Sequence, residues 1–248
     1  SMKILGDSQI TNADITATNI LVPTQTDKLK NFQLTDNMRT IANSTVIDIT
    51  FNGTIPNINS FALCGTNLTS NAVITLSYSN TDINSPENTI TLPIFSTLHQ
   101  VFFLANELNR KYWRISITDT SLSTIFIGYI YTGVHFQVPF VGYGHEAFLD
   151  INSNSQITPT GQGYGSKIFN SMPVNFTMYA NYADLEKFLA IIQEKQNIDP
   201  VLLIEYDNSY DLSLYRPKYG VLSNTSTAYP TREQNYAYEI SARLEERF

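Results

Sequence analysis

Cysteine is almost absent from this chain: Cys64 is the only one in 248 residues. A single thiol excludes an intrachain disulfide and any zinc site built on cysteines. The chain therefore folds without redox help, which suits assembly in a cytoplasm. Charge is also scarce, at 15% of residues against the usual quarter. What charge there is leans negative, with a net −7 and a pI near 4.9, and Lys and Arg form no cluster. Binding to a nucleic-acid backbone needs several cations on one face, so a nucleic-acid partner is excluded. No apolar run approaches the ~18 residues of a membrane span, and the first residues lack the apolar region of a signal peptide. Histidine occurs only at His99, His135 and His145, scattered and without ligand spacing. No metal or other cofactor is expected.

Uncharged polar residues fill the place of charge, chiefly Asn, Thr and Ser, beside 42% hydrophobic residues. That balance favours strands and turns over long solvated helices. Over residues 3–140 the text is a series of short apolar or alternating runs. In "STVIDITFNG", Ile47, Ile49 and Phe51 oppose Val46, Asp48 and Thr50; Asn52-Gly53 and Ile55-Pro56-Asn57 then punctuate it. "INSFALCG" closes on the apolar run Phe61–Cys64, and "AVITLSYS" alternates. "ITLPIFS", "HQVFFLA", "KYWRISIT" and "TIFIGYIYTG" follow at the spacing of an antiparallel sandwich. "YWRISIT" turns Trp113, Ile115 and Ile117, including the one tryptophan of the chain, toward a core.

Between residues 141 and 170 Gly, Ser and Asn accumulate and no period survives, which predicts a linker or long surface loop. Residues 171–248 read differently. "PVNFTMYAN" predicts a strand with Val174, Phe176 and Met178 on one face. "NYADLEKFLAIIQEKQN" changes to helical period, with Leu185, Phe188, Leu189 and Ile192 on one stripe and Asn181 as N-cap. "VLLIEYD", "RPKYGVLSN" and "NYAYEISARLEERF" supply three more strands. The order predicts a small α+β unit, one helix packed on a sheet or open barrel.

Motifs with chemical potential fail on their own terms. His145-Glu146 begins like a zinc-protease HExxH, but Leu149 stands where the second histidine must be. Gly161-Gln162-Gly163-Tyr164-Gly165 lacks the Gly-Lys-Ser/Thr ending and the strand-to-helix setting of a phosphate loop. Asp119, Asp150, Glu205 and Asp207 lie at strand ends, where acidic residues usually form turns, and spacing alone pairs none of them for glycoside hydrolysis. Cys64 ends an apolar run with no histidine partner and reads as a buried, inert thiol. Tyr143, Tyr164, Tyr206, Tyr210 and Tyr229 are candidates for stacking on sugars or for an interface. No catalytic residue is assigned, and no ligand-binding residue either; the chain is expected not to be an enzyme.

Three stretches carry a resemblance: "ITNADITAT" (10–18), "INSFALCGTNLTSNAVITLSYSN" (58–80) and "KYWRISITDTSLSTIFIGYIYTG" (111–133). Together they resemble the galactose-binding-like jelly roll of tail proteins in long-tailed phages and prophages. The C-terminal text "NFTMYA", "ADLEKFLAII", "DPVLLIEYD", "PKYGVLS" and "YAYEISARLEERF" resembles the strand–helix–sheet module of distal-tail and minor tail proteins. The resemblance implies a mainly β chain: an N-terminal antiparallel jelly-roll sandwich over 3–140, a linker over 141–170 and a tail-module-like α+β domain over 171–248. It also implies a structural protein of a phage tail tip or baseplate, assembled in the host cytoplasm into the virion. Its partners would be other tail or baseplate proteins, in a homo-oligomer or ring, with a host-surface glycan as a further contact. The sequence departs from the usual distal-tail order in placing the jelly roll first. The alternative is a carbohydrate-binding module recognising host-surface glycans, motivated by the sandwich and its Gly-, Asn- and Tyr-rich loops.

Overall fold

The structure, a computed structural model, describes residues 2–94, 98–139, 141, 146–147, 150–157, 163–171, 173–195, 198–205, 217–224, 229–230 and 238–246. The chain divides into two compact units: residues 1–137 with 204–217 and the last residue, and residues 138–203 with 218–247.

The first unit carries β1 (Lys3–Leu5), β2 (Asp14–Ala17), β3 (Met38–Arg39), β4 (Ser44–Thr50), β5 (Asn57–Cys64) and β6 (Ala72–Ser79). It continues with β7 (Asn88–Leu92), β8 (Gln100–Asn109), β9 (Tyr112–Asp119), β10 (Phe126–Ile127), β11 (Tyr129–Gly133) and β12 (Phe136–Gln137). Five strands form one antiparallel sheet in the order β2-β4-β9-β6-β7, and three form a second, β11-β5-β8. The short pairs β1–β12 and β3–β10 accompany them. This is the antiparallel sandwich that the alternating runs predict.

Cross-strand register explains why the core forms where it does. Ile47 pairs with Ile115 and Ile49 with Trp113, while Ile74 and Leu76 pair with Ile117 and Ile115 from the other side. All seven are buried, so one face of the central strands is continuous hydrocarbon. Each such side chain contributes about 1.5–3 kcal/mol by leaving water. The Phe61 ring of β5 lies 4.9 Å from the Trp113 ring of β9, at a tilt of 54°, and joins the two sheets. Trp113 satisfies its one polar atom by donating from Nε1 to the Arg110 carbonyl at 2.9 Å. The apolar run Phe61–Cys64 is buried at every position, the pattern of a strand covered on both faces. On the opposite face of the five-stranded sheet, Arg114 donates from Nε and Nη2 to the Asp48 carboxylate at 2.6 and 2.8 Å.

Two 3-10 helices escaped the strand reading, at Ile10–Asn12 and Pro23–Lys30. The second starts on Pro23, whose missing N–H costs nothing at a helix start.

The second unit holds β13 (Glu146–Ala147), β14 (Asp150–Ile157), β15 (Gly163–Ser171), β16 (Val174–Ala180), α1 (Tyr182–Lys195), β17 (Val201–Ile204), β18 (Lys218–Asn224), β19 (Tyr229–Pro230) and β20 (Tyr238–Glu246). Its sheet runs β17-β18-β20-β16-β13, with β19 beside β20. Val174, Phe176 and Met178 of β16 are buried, as are Leu185 and Phe188 of α1. The Phe176 and Phe188 rings meet edge-on at 6.4 Å, which fixes the helix on the sheet. Asn181 caps the helix as expected: its Oδ1 accepts from the Asp184 N–H at 2.9 Å, and its Nδ2 donates to Asp184 Oδ2 at 2.9 Å.

One expectation is corrected. Within the stretch read as an irregular linker, β14 and β15 pair as antiparallel strands from Asp150↔Ser171 to Ile157↔Gly163. Backbone pairing needs no apolar alternation, and Ser, Asn and Gly hide the strand period in a sequence read by hydrophobicity. Gly163 and Gly165 therefore sit in a strand rather than a loop, while Gly161 and Gln162 lie outside the described residues.

Candidate functional site

The loops of the sandwich gather at its two ends. At one end β4 stops at Thr50 opposite Tyr112, β5 starts at Asn57 opposite Asn109, and β11 finishes at Gly133 opposite Ser60. Here a cleft of about 640 Å³ is lined by Asp7, Gln9, Asn12, Gly53, Thr54, Pro56, Asn57 and Val134. Its volume falls within the range of small-ligand sites.

The walls are held by the backbone. Ser8 bridges Gly133, and the Gln9 N–H donates to the Thr132 carbonyl at 2.7 Å. These bonds lash residues 7–9 to the end of β11. Gly133 is required for the close approach: a Cβ there would sit 2.3 Å from the Asp7 carbonyl oxygen and 2.8 Å from Tyr131 Oη. The facing wall is held by Asn109, whose Nδ2 donates to the Ile55 carbonyl at 2.6 Å, and by the Phe51 N–H donating to the Lys111 carbonyl at 3.0 Å.

Polar side chains on the first wall orient one another. Gln9 Nε2 donates to Asp7 Oδ1 at 2.9 Å, and Asn12 Nδ2 donates to Gln9 Oε1 at 3.4 Å. Considerable capacity is left over. Among the described residues, Asn12 Oδ1, Thr54 Oγ1 and Asn57 Nδ2 bond to no other protein group, and Asn12, Thr54 and Asn57 are exposed. The cleft thus offers amide donors, amide and carboxylate acceptors and a hydroxyl, converging on one concave surface.

The other end is built differently. The "CGTNL" corner lies there, with Gly65 at φ 66°, a conformation that favours glycine. The Gly65 N–H donates to His99 Nδ1 at 3.3 Å. Asn67 clamps a distant loop. Its Nδ2 donates to the Thr124 carbonyl at 2.9 Å, and its Oδ1 accepts from the Phe126 N–H at 2.8 Å. Leu34, Leu98 and Phe126 line a groove of about 400 Å³ beside it. Both ends of the Asn67 amide are occupied by the loop clamp, so this groove presents an apolar lining with little left for polar recognition.

Asp119 completes that corner. It is fully buried, and its carboxylate accepts from the Thr69 N–H at 2.7 Å, the Ser121 N–H at 3.0 Å and Thr69 Oγ1 at 2.9 Å. Burial pushes the carboxyl up, but the bonds from Thr69 and Ser121 outweigh it and hold the group below the ordinary carboxylate range. Of the other acidic candidates, Glu205 is buried just after β17. Asp150 opens β14, and Asp207 lies outside the described residues.

Among the described residues, no three His, Cys, Asp or Glu side chains group as a metal site would need. His99 bonds the corner. His135 Nδ1 lies 2.7 Å from Ser60 Oγ and 3.0 Å from Asn59 Oδ1. That Ser–His contact was not foreseen; Ser60 is fully buried, its Oγ donates to Asn59 Oδ1 at 2.7 Å, and no substrate carbonyl could reach it. His145, Tyr143, Tyr206 and Tyr210 lie outside the described residues, and Tyr164 and Tyr229 are placed in β15 and β19. Cys64 is buried and free, with burial pushing its thiol up well above the ordinary range, as an inert thiol should be.

The cleft residues went unsingled in the sequence. The available signal was Asn52-Gly53 and Ile55-Pro56-Asn57, read as punctuation, which in fact build one wall.

No protein-family profile matches the chain, and no curated protein is detectably similar in sequence. Solved structures do resemble it. A CBM32 module from Clostridium perfringens in complex with GalNAc-β-1,3-galactose is 11% identical, with a TM-score of 0.40, over 53% of this chain and 99% of that one. The family 32 CBM of C. perfringens NanJ in complex with galactose is 9% identical, with a TM-score of 0.41, over 54% and 99%. Chitosan-binding module 1 of a Paenibacillus chitosanase/glucanase is 15% identical, with a TM-score of 0.42, over 52% and 99%. At these identities and scores they do not decide what this chain binds.

Proposed function

We propose that this chain is a non-catalytic glycan-binding protein that takes a sugar in the cleft between residues 7–12 and 53–57. The observation that carries the reading is the unspent hydrogen-bonding capacity of Asn12, Thr54 and Asn57 in an open cleft of about 640 Å³. Sugar hydroxyls both donate and accept, and a wall of amides, a carboxylate and a hydroxyl answers both functions. Such a site orients ligand by direct polar bonds, and losing one leaves a partner group unsatisfied. A screen of neutral and charged oligosaccharides followed by titration calorimetry tests it. Asn57→Ala is expected to weaken the best ligand about tenfold, with the Trp113 fluorescence of the folded sandwich unchanged. Absence of binding to any glycan would overturn the reading.

A second reading concerns where such binding would serve. From β16 onward the second unit runs strand, helix, then β17, β18, the two-residue β19 and β20, an order that supports the phage-tail resemblance. On that reading the protein is a structural component of a tail tip or baseplate in the virion, with the glycan cleft as a host-surface contact. It predicts self-association or assembly with a neighbouring tail protein. A chain that stays monomeric at high concentration by light scattering and captures no tail protein would remove it.

A further inference from the structure

Asn52 and Gly53 form the only Asn-Gly pair in the chain, and they stand at the lip of the cleft. Their loop is pinned on both sides. The buried Phe51 donates its N–H to the Lys111 carbonyl at 3.0 Å, and Asn57 opens β5 opposite Asn109. Between those anchors residues 52–54 are exposed. Gly53 is uncrowded: a Cβ there would meet nothing within 4 Å. Among the described residues, the Gly53 N–H donates to no other protein group. The Asn52 side chain makes one bond, its Nδ2 donating to Asp14 Oδ2 at the start of β2. Every other asparagine precedes a residue with a side chain, as in the exposed pairs Asn84-Ser85 and Asn88-Thr89.

We propose that Asn52 deamidates by ring closure with Gly53, and that the product weakens ligand in the adjacent cleft. The Gly53 backbone nitrogen gives up its proton to hydroxide and attacks Asn52 Cγ. The N–Cγ bond forms, the Cγ–Nδ2 bond breaks, and Nδ2 takes a proton from water and leaves as ammonia. Water then opens the cyclic imide. Cleavage of the new N–Cγ bond gives aspartate; cleavage of the original peptide bond gives isoaspartate, with the chain running through Cβ. Water is the only co-reactant, and nothing is oxidised or reduced.

Both products act on the cleft wall. A carboxylate at position 52 can no longer donate to Asp14 and repels it, where before an amide tied the loop to β2. Isoaspartate in addition inserts a methylene into the backbone just ahead of Gly53 and Thr54, which line the cleft. A displaced Thr54 forfeits its bond to the ligand, a loss of about tenfold in affinity. This effect on binding rests on the glycan reading above; the chemistry at Asn52 does not.

The test incubates the folded full chain in mildly alkaline buffer, which speeds loss of the proton from the attacking nitrogen, and follows it by peptide mapping. Asn52 is expected to convert before any other asparagine, into separable aspartate and isoaspartate forms. Titrated with the best-binding oligosaccharide, the isoaspartate form should bind about tenfold more weakly than fresh protein and the aspartate form about threefold. Freshly made Asn52→Asp should match the aspartate form, with Trp113 fluorescence checking its fold; should it fail to fold, the acidic fraction of the incubated protein is titrated instead. Gly53→Ala adds a Cβ beside the attacking nitrogen and narrows its conformations. Its conversion should be about tenfold slower, and whatever affinity it starts with should hold through the same incubation. Another asparagine converting ahead of Asn52, or Gly53→Ala converting as fast as wild type, overturns the modification. Conversion of Asn52 with affinity unchanged overturns its effect on the cleft and leaves the glycan reading standing. No glycan binding by fresh protein overturns that reading and the effect with it, while the peptide map still decides the modification.

Discussion

Replacing Asp119 by alanine should loosen the corner that holds the far end of the sandwich. Its carboxylate receives two backbone N–H groups, from Thr69 and Ser121, and the Thr69 hydroxyl. Hydrogen bonds to a charged group are worth about 1.5–3 kcal/mol each. Two of them to backbone donors give roughly 3–6 kcal/mol, and water entering the emptied site recovers part. A net loss of about 3 kcal/mol is the expected size. With an m-value of about 2 kcal/mol per molar urea for a unit of this size, the urea midpoint should fall by about 1.5 M. Trp113 is the only tryptophan and sits in the core between the two sheets, so its fluorescence reports the sandwich separately from the second unit. The sign of the pH dependence follows from the depressed carboxyl of Asp119. Its contribution is fully present above the ordinary carboxylate range, about pH 4, and is lost as the pH falls through the lower folded value. The gap between wild type and Asp119→Ala should therefore close in acid. A midpoint shift below about 0.3 M at neutral pH, or a gap that stays constant into acid, would refute the role assigned to this carboxylate.

Other perturbations have equally definite outcomes. Gly133→Ala places a methyl 2.3 Å from the Asp7 carbonyl, so residues 7–9 must move; binding in the cleft should be lost by glycan titration, with a stability cost of about 1–3 kcal/mol in the urea curve. Cys64→Ala removes one buried sulfur and should cost about 1 kcal/mol without altering assembly or binding, and the native thiol should resist a thiol reagent until the sandwich unfolds. Asp48→Asn breaks a half-buried bidentate pair with Arg114 on the outer face and should cost no more than about 1 kcal/mol by the same urea curve, because solvent screens the pair.

Where periodicity is driven by burial, the sequence was easy to read. The alternation of Ile47 and Ile49, of Ile74 and Leu76, and of Trp113, Ile115 and Ile117 marks one face of one sheet, because each of those side chains goes to the same core. The helix at Tyr182–Lys195 announced itself through Asn181 and the stripe of Leu185 and Phe188. The hairpin of β14 and β15 did not, since its pairing is carried by backbone bonds and its residues are mostly polar. The cleft was invisible for a related reason. Asp7, Gln9 and Asn12 reach Thr54 and Asn57 only because β11 pins residues 7–9 through Ser8 and Thr132. Nothing local in either segment encodes that meeting. Asp119 was recognised as a turn former, but its partner Thr69 lies 50 residues away, and only the β6–β9 register brings the two together.

The central claim is that a sugar sits between residues 7–12 and 53–57, and a two-dimensional amide NMR titration with the best-binding oligosaccharide tests it most directly. Saturable shifts should appear in the side-chain amides of Gln9, Asn12 and Asn57 and in the Thr54 N–H, while the Asn67 side-chain amide at the opposite end stays still. Shifts centred on Asn67 and the Leu34–Phe126 groove, with Asn12 and Asn57 unmoved, would contradict the account.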